Sequence, residues 1–328
     1  MSWHIILFTY LFIQPAEQKR FFIEGTAQGT TYHVTYYAEE NIVTRKQLDS
    51  LFTVLDNSLS IYKHHSVISR FNKHRKGLKA DQHLATVVRR SQEVWKDTEG
   101  IFDITVQPLV KAWGFGVNNV KEYPDSAAIS SLLPCVGTEK IKLKNLKLKK
   151  EKKCVTIDVN GIAQGYSVDV IAGYLEKKGL SDFIVEVGGE IRVKGKKPDG
   201  GKMKIGIEAP GSEKHNDLIM QKIISLDDGA VTTSGNYRKF HESNGKRINH
   251  IINPRTGYPI ENELISVTVI AKDAMTADAY DNALLAMGLK KALDFVEARK
   301  DLSAFFIYRD ENGKVTDTCS SRFTAYLE

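Results

Sequence analysis

Thr156-Ile-Asp-Val-Asn-Gly-Ile-Ala-Gln-Gly-Tyr-Ser-Val-Asp169 is the stretch on which the reading of this chain turns. Val155, Ile157 and Val159 alternate with polar residues, which predicts a short strand, and Asn160-Gly161 is a turn signal. Beyond Gly165 the apolar positions Val168, Ile171, Ala172 and Leu175 follow helical spacing as far as Gly179. A strand that runs through small residues into a helix start presents free backbone N–H groups, a seat suited to phosphate oxygens. Asp158 at the strand end and Asp169 in the helix place negative charge beside it. Neither G-x-G-x-x-G nor G-x-x-x-x-G-K-[ST] occurs here, so an ordinary tight connection stands as the other reading.

Outward from this stretch, strand patterns outnumber helical ones. On the N-terminal side a hairpin is expected over 17–40, turning at Gly25-Thr-Ala-Gln-Gly29, followed by amphipathic helices over 42–60 and 84–98 and a short helix over 126–133. Lys140–Lys153 alternates Ile141, Leu143, Leu146 and Leu148 with lysines, the pattern of a two-strand ribbon with one wet face; a solvated surface and a polyanion site are its two readings. On the C-terminal side strands are expected at 183–187, 191–193, 203–208, 219–226, 231–237, 247–252 and 264–271, the last with Ile265, Val267 and Val269 on one face. Helices follow over 274–287 and 290–300, with closing strands at 304–308 and 323–327. Short turns join most strands, which predicts an α+β fold of largely antiparallel sheets packed with helices, as one compact unit.

Composition bounds the function. With 42% hydrophobic and 26% charged residues, the 328-residue chain has the make-up of a soluble globular protein. The net charge of +6 is mild, and no basic run is interleaved with aromatics, so nucleic acid is not an expected partner. Cys135, Cys154 and Cys319 are widely spaced and form no C-x-x-C, so neither a disulfide framework nor a zinc knuckle is expected, and Cys154 reads as a small core residue. The run Ile5–Ile13 is too short to span a bilayer and suits the core of an export signal, with Gln14-Pro-Ala16 as a cleavage region. Residues 1–19 are therefore expected to be an export signal or extension, ahead of a catalytic unit over 20–328.

Three further segments carry candidate chemistry. In Met275–Gly288, Asp278, Asp281 and Asn282 fall at i, i+3 and i+4 on one helix face, an all-oxygen cluster of the kind that suits Mg²⁺. The competing reading is a carboxylate in the first turn, favoured by the helix dipole alone. His250 closes a strand before Asn253-Pro-Arg-Thr-Gly257, where it reads either as a proton acceptor or as a structural histidine. Thr232-Thr-Ser-Gly-Asn-Tyr237 nearby offers hydroxyls. Gly100–Leu109 with Trp113–Gly116 sets Phe102, Trp113 and Phe115 on glycine-interrupted backbone, as a wall for a flat aromatic ligand or as plain core.

Taken in order, these segments resemble the ApbE family, the FAD:protein FMN transferases. The likeness rests on Gly25–Tyr32 (G-T-x-x-G-T-x-Y), Leu59–Tyr62 with Ser66–Asn72, and Gly100–Leu109. It continues through Asp158–Tyr166 (D-x-x-G-x-A-x-G-Y), Val187–Arg192, Thr233–Tyr237, His250–Pro259 and Ala277–Ala283. The resemblance implies a T-fold-like catalytic unit that transfers FMN from FAD to a Ser or Thr hydroxyl, with AMP leaving. It implies FAD as substrate, Mg²⁺ as cofactor, and targets among subunits of membrane redox complexes of the NADH:quinone reductase or Rnf type. Carried over by position, Asp278, Asp281, Asn282 and the Gly161 carbonyl hold the metal. Gln28, Tyr62, Ile101, Phe102, Asp103, Asp158, Gln164 and Ile252 contact FAD. His250, or an aspartate near the metal such as Asp281, assists deprotonation of the hydroxyl. Hydrolysis of FAD to FMN and AMP, and non-catalytic FAD binding in the envelope, are the alternatives. The implied location is the periplasmic face of the envelope, peripheral to the inner membrane; with no cysteine before residue 135, lipid attachment is not expected. Gln164 and Asn282 depart from the family pattern, which often has Lys or Glu at the first and Thr at the second.

Overall fold

The computed structural model describes residues 17–115, 123–208, 220–236, 240–243 and 246–328. The run Ile5–Ile13, Gly116, Ile219 and Tyr237 of the sequence reading lie outside these residues. In chain order the first elements are β1 (Lys19–Ala27), β2 (Thr30–Ala38), α1 (Arg45–Leu59), α2 (Val67–Lys73), β3 (Gly77–Lys79) and α3 (Gln82–Asp97). Next come α4 (Gln107–Ala112), α5 (Ser126–Leu132), β4 (Ile141–Lys144), β5 (Lys147–Lys150) and α6 (Ala163–Lys177). Strands β6 (Phe183–Val187), β7 (Glu190–Lys194), β8 (Met203–Glu208), β9 (Met220–Leu226), β10 (Asp228–Gly235), β11 (Phe240–Ser243), β12 (Lys246–Asn249) and β13 (Leu264–Ala271) follow. The chain closes with α7 (Ala274–Met287), α8 (Leu289–Glu297), β14 (Ser303–Arg309) and β15 (Val315–Cys319).

An eight-stranded sheet in the order β1-β2-β6-β7-β10-β13-β14-β15 forms the centre, and each of its pairings is antiparallel. This matches the α+β expectation. Helices α1, α3, α6, α7 and α8 bury one face in the main core, while the β8–β9 ribbon and Phe323 cover part of the other. The sheet's buried strand β13 explains the two-sided core: all eight of its side chains are buried. The expected alternation breaks at one point. Two β13 residues oppose one on β14 between Leu264 and Ser266, so Ile265 joins the second core while Val267 and Val269 face the helices.

Several boundaries move for physical reasons. The first hairpin turns on Gln28–Gly29 alone, both with positive φ, and not on the longer Gly25–Gly29 loop. No strand forms over Val155–Val159, although these three apolar residues are fully buried. Their backbone finds side chains and a loop carbonyl instead of a ladder. Asn72 Nδ2 donates to the Ile157 carbonyl and Asn72 Oδ1 accepts from Ile157 N, both at 2.8 Å, and Asp158 N donates to the Ile104 carbonyl at 2.7 Å. Lys150 Nζ donates to the Val155 carbonyl at 2.8 Å. At the C-terminus Ser321–Tyr326 is a 3₁₀ helix, not a closing strand, with Phe323 stacked on Phe305. The edge strand is β15, whose polar residues carry no apolar alternation.

Cys135 and Cys154 form a disulfide, which overturns the expectation of unpaired cysteines, and Cys154 is exposed and not a core residue. The β4–β5 hairpin brings them together: Ile141 pairs with Lys150, so the residues flanking the two strands converge at its open end. Closing a loop of this separation, 19 residues, stabilises the fold by roughly 3 kcal/mol in the chain-entropy account. We expect Cys135→Ser/Cys154→Ser, or a reductant, to lower the urea midpoint correspondingly, with Cys319 as the internal free-thiol reference.

Candidate active site

A cavity of about 760 Å³ opens between the end of the central sheet and the loops before α4 and α6. Its lining includes each residue that the family resemblance assigns to flavin, metal or proton transfer: Gln28, Tyr62, Ile101, Phe102, Asp103, Asp158, Gly161, Gln164, His250, Ile252, Asp278, Asp281 and Asn282. These come from six separate segments, so the fold and not sequence proximity assembles them.

The acidic side of the cavity is built by α7. Asp273 caps this helix through Thr276 N, and Asp169 of α6 accepts from Ala274 N and Met275 N at 2.9 and 2.8 Å. The dipole-stabilising carboxylates are therefore Asp273 and Asp169. Asp278 lies beyond the first turn, so that reading does not explain it. Asp278 and Asp281 are 3% and 1% exposed. Burial pushes the Asp278 carboxyl up to about 7, against the pull of a 2.9 Å hydrogen bond from Gly165 N to its Oδ2. Burial first, and then the charge of Asp278, hold Asp281 well above the usual carboxylate range; Glu190 adds to this. Asn282 bridges the pair: its Nδ2 donates to Asp281 Oδ1 at 2.9 Å and to Asp278 Oδ1 at 3.3 Å, and its Oδ1 accepts from Ser234 Oγ at 3.1 Å.

The expected phosphate seat at the start of α6 is altered. Ala163 N donates to the Val159 carbonyl and Gly165 N to Asp278, so two N–H groups of this terminus serve the protein's own oxygens. What the stretch contributes instead is position. Gly161 lies against Asn282, where a Cβ on it would stand 3.3 Å from Nδ2. Asp158 Oδ1 accepts from Asn160 N and tightens the turn.

The remaining walls have identifiable supports. Gln28, at the hairpin tip, reaches α6 through a 2.8 Å hydrogen bond from its Nε2 to Ser167 Oγ, and Gln164 Nε2 donates to the Val187 carbonyl. Asp103 faces the cavity, but its carboxylate accepts four hydrogen bonds from Thr105 and Thr138, and burial raises its pKa in spite of them. Its work is to fold the Ile101–Asp103 wall. Phe102 and Phe115 line the cavity, whereas Trp113 stands behind it in a small core with Leu109, Ile129, Val136 and Ile252, donating to the Gly257 carbonyl. Phe115 meets His250 edge-on at 6.3 Å between ring centroids. Tyr62 is 62% exposed at the rim.

Asn72 is the residue that sequence reasoning did not single out as functional. Its paired hydrogen bonds to Ile157 set the backbone immediately before Asp158. Truncation leaves a buried N–H and C=O unsatisfied, at a cost of about 2–3 kcal/mol. We expect Asn72→Ala to lower thermal stability and to raise the KM for a dinucleotide ligand, checked by thermal denaturation and steady-state kinetics.

The antiparallel α+β fold described above is shared with solved flavin transferases. The family model described as "ApbE family" matches residues 28–306, and the chain belongs to this family. It is 34% identical to the FAD:protein FMN transferase of Vibrio cholerae over 99% of both chains. The enzyme of the same name from Haemophilus influenzae is 35% identical, over 93% of this chain and 91% of its own. The crystal structure of the Pseudomonas stutzeri flavinyl transferase ApbE, apo form, superposes with a TM-score of 0.85 at 31% identity, covering 94% of this chain and 97% of that one.

Proposed function

We propose that this ApbE-family chain, an FAD:protein FMN transferase, transfers FMN to a Ser or Thr hydroxyl of a target protein with release of AMP, in a Mg²⁺-dependent reaction. The observation that carries the metal requirement is the Asp278–Asp281 pair: two adjacent carboxylates, nearly inaccessible, with no cationic side chain among their hydrogen-bond partners in the described residues. Among the described residues no group of three or more His, Cys, Asp or Glu converges as a metal site, so an ion held by this pair would need neutral oxygens to complete its shell. The residues fit that need. Asn282 has an amide whose O and N are nearly isosteric, and a flip presents its oxygen to the space between the carboxylates. Gly161, beside it, supplies a backbone carbonyl. Bound there, Mg²⁺ would neutralise pyrophosphate charge.

The other residues orient and exclude. A cavity of this volume suits a dinucleotide, with Phe102, Ile101 and Ile252 offering apolar surface and Gln28 and Gln164 offering amides. The incoming hydroxyl oxygen forms a bond to the FMN phosphorus as the bridging P–O bond breaks, and AMP departs with the bonding pair. His250 or Asp281 takes the hydroxyl proton. Transfer occurs on the periplasmic face, at the membrane periphery, to subunits of membrane redox complexes. The Cys135–Cys154 disulfide supports an oxidising compartment.

The test is purified chain with FAD and a target domain, with and without Mg²⁺, read as a fluorescent flavinylated band and as AMP released. Mg²⁺-dependent labelling is expected. AMP release without labelling would convert the reading to an FAD hydrolase, and FAD retention with neither to a carrier.

A further inference from the structure

The β3-β5-β4 sheet lies outside the flavin cavity, and its charge has no role in the chemistry above. Its inner face, with Ile141, Leu148, Leu78 and Leu143, packs on the main core. Its outer face carries Lys79, Lys142, Lys144, Lys147 and Lys149, all exposed. The register sets these lysines directly opposite one another: Lys79–Lys147–Lys144 forms one row, and Lys149–Lys142 a second. Like charges in direct cross-strand positions are destabilising. Only Lys142 has an acidic neighbour, Glu151 at 3.9 Å; among the described residues the other four have none in ion-pair range. Segments 73–79 and 139–153 hold twelve Lys and Arg against two Glu, a net of +10 in a chain of net +6, so the remainder is acidic.

Protection of sheet edges does not account for this arrangement. Edge lysines would serve that purpose on β3 and β4, but two of the five sit on the central strand β5. The residue type selects the partner. All five are lysines, hydrated point charges on flexible stems; the face has no arginine fork for carboxylates and no aromatic anchor of the sort that forms protein hot spots. A flat, diffuse, purely ammonium surface fits a flat, diffuse anionic one.

We propose that the outer face of the β3-β5-β4 sheet docks the protein on an anionic phospholipid surface. The location given above rests on the same membrane-peripheral reading, but docking itself involves no flavin chemistry, so the two fail separately. Attraction to an anionic leaflet amounts to roughly fivefold in partitioning per lysine held near the surface. The experiment is co-sedimentation of the full chain with vesicles of phosphatidylcholine alone or with about a third phosphatidylglycerol, at rising salt. Binding to the anionic vesicles only, weakened by salt, is expected. Lys142→Gln/Lys144→Gln/Lys147→Gln/Lys149→Gln should lower it by at least about a hundredfold. A control of equal net charge, Lys46→Gln/Lys96→Gln/Lys177→Gln/Lys290→Gln, should retain most of it. All eight side chains are exposed, and thermal denaturation checks that both variants fold. Flavin transfer to a soluble target domain should be unchanged in the first variant. The proposal is overturned by equal losses in the two variants, or by no preference for anionic vesicles. Loss of transfer to a soluble acidic target with vesicle binding intact would also overturn it, and make the face a protein-docking site.

Discussion

Exchanging Asp281 for asparagine should lower flavin transfer by on the order of a thousandfold or more, while making the metal-free protein more tolerant of alkaline pH. The two effects share one cause. Asp281 and Asp278 are one helical turn apart and shut off from water, and each resists ionisation chiefly through burial. The sign follows from proton linkage. In the unfolded chain both carboxyls ionise near 4, whereas in the folded metal-free protein Asp278 holds its proton to about 7 and Asp281 beyond the usual range. Between these limits the folded state binds more protons than the unfolded one. The pair therefore contributes stability at low pH that is lost as pH rises toward and through 7. Asparagine carries no charge to desolvate, so the variant's melting temperature should fall less between pH 5 and pH 8 than the parent's. Added Mg²⁺ should raise the parent's melting temperature, more at pH 8 than at pH 5, and leave the variant's nearly unmoved. A variant that still labels its target at the parental rate would remove Asp281 from the site.

The parts of this site that were legible in the sequence are those fixed by local pattern. The i, i+3, i+4 spacing of Asp278, Asp281 and Asn282 survives because α7 spans the expected Ala274–Met287. Strand β13 is equally plain, its apolar run broken only by Ser266 and Thr268 between Glu263 and Lys272. What escaped depends on partners remote in the chain. Asn72 replaces a strand neighbour for Ile157 across 85 residues, so alternation at Val155–Val159 marked burial and not a ladder. Cys135 and Cys154 meet only because the lysine-rich hairpin between them closes, and its symmetry about Asn145-Leu146 was the available signal. The N–H groups of α6 looked free because the carboxylate that takes one of them, Asp278, is 113 residues away. Aromatic residues showed the same limit: Phe102 and Phe115 reach the cavity while Trp113 supports it from behind.

Two glycines of one helix should respond in opposite directions to the same added methyl group. Gly165 and Gly173 both lie in α6, where exchange for alanine gains about 1 kcal/mol of helix propensity. At Gly173 a Cβ meets nothing within 4 Å, so that gain stands, and Gly173→Ala should stabilise by roughly 0.5–1 kcal/mol. At Gly165 the Cβ overlaps the backbone carbonyl of Ala274 and comes to 2.8 Å from Asp278 Cβ. Neither obstacle is the free end of a flexible side chain. Ala274 is the first residue of α7, pinned by the two hydrogen bonds to Asp169, so it has little freedom to withdraw. Overpacking of this kind costs about 1–3 kcal/mol or more, and parting the helices also weakens the Gly165 N–H bond to a buried carboxylate, about 1.5–3 kcal/mol. The losses exceed the propensity gain. Gly165→Ala should therefore destabilise by roughly 2–3 kcal/mol and lower the melting temperature by about 5–10 °C. Because the displaced groups orient Asp278, flavin transfer should fall at least about tenfold at temperatures where the variant remains folded, with the loss partly restored by high Mg²⁺. Thermal denaturation of both variants beside in-gel flavin fluorescence decides it. Equal stabilisation at the two positions would mean that α6 and α7 do not cross where Gly165 now places them, and the geometry of the carboxylate pair would have to be redrawn with them.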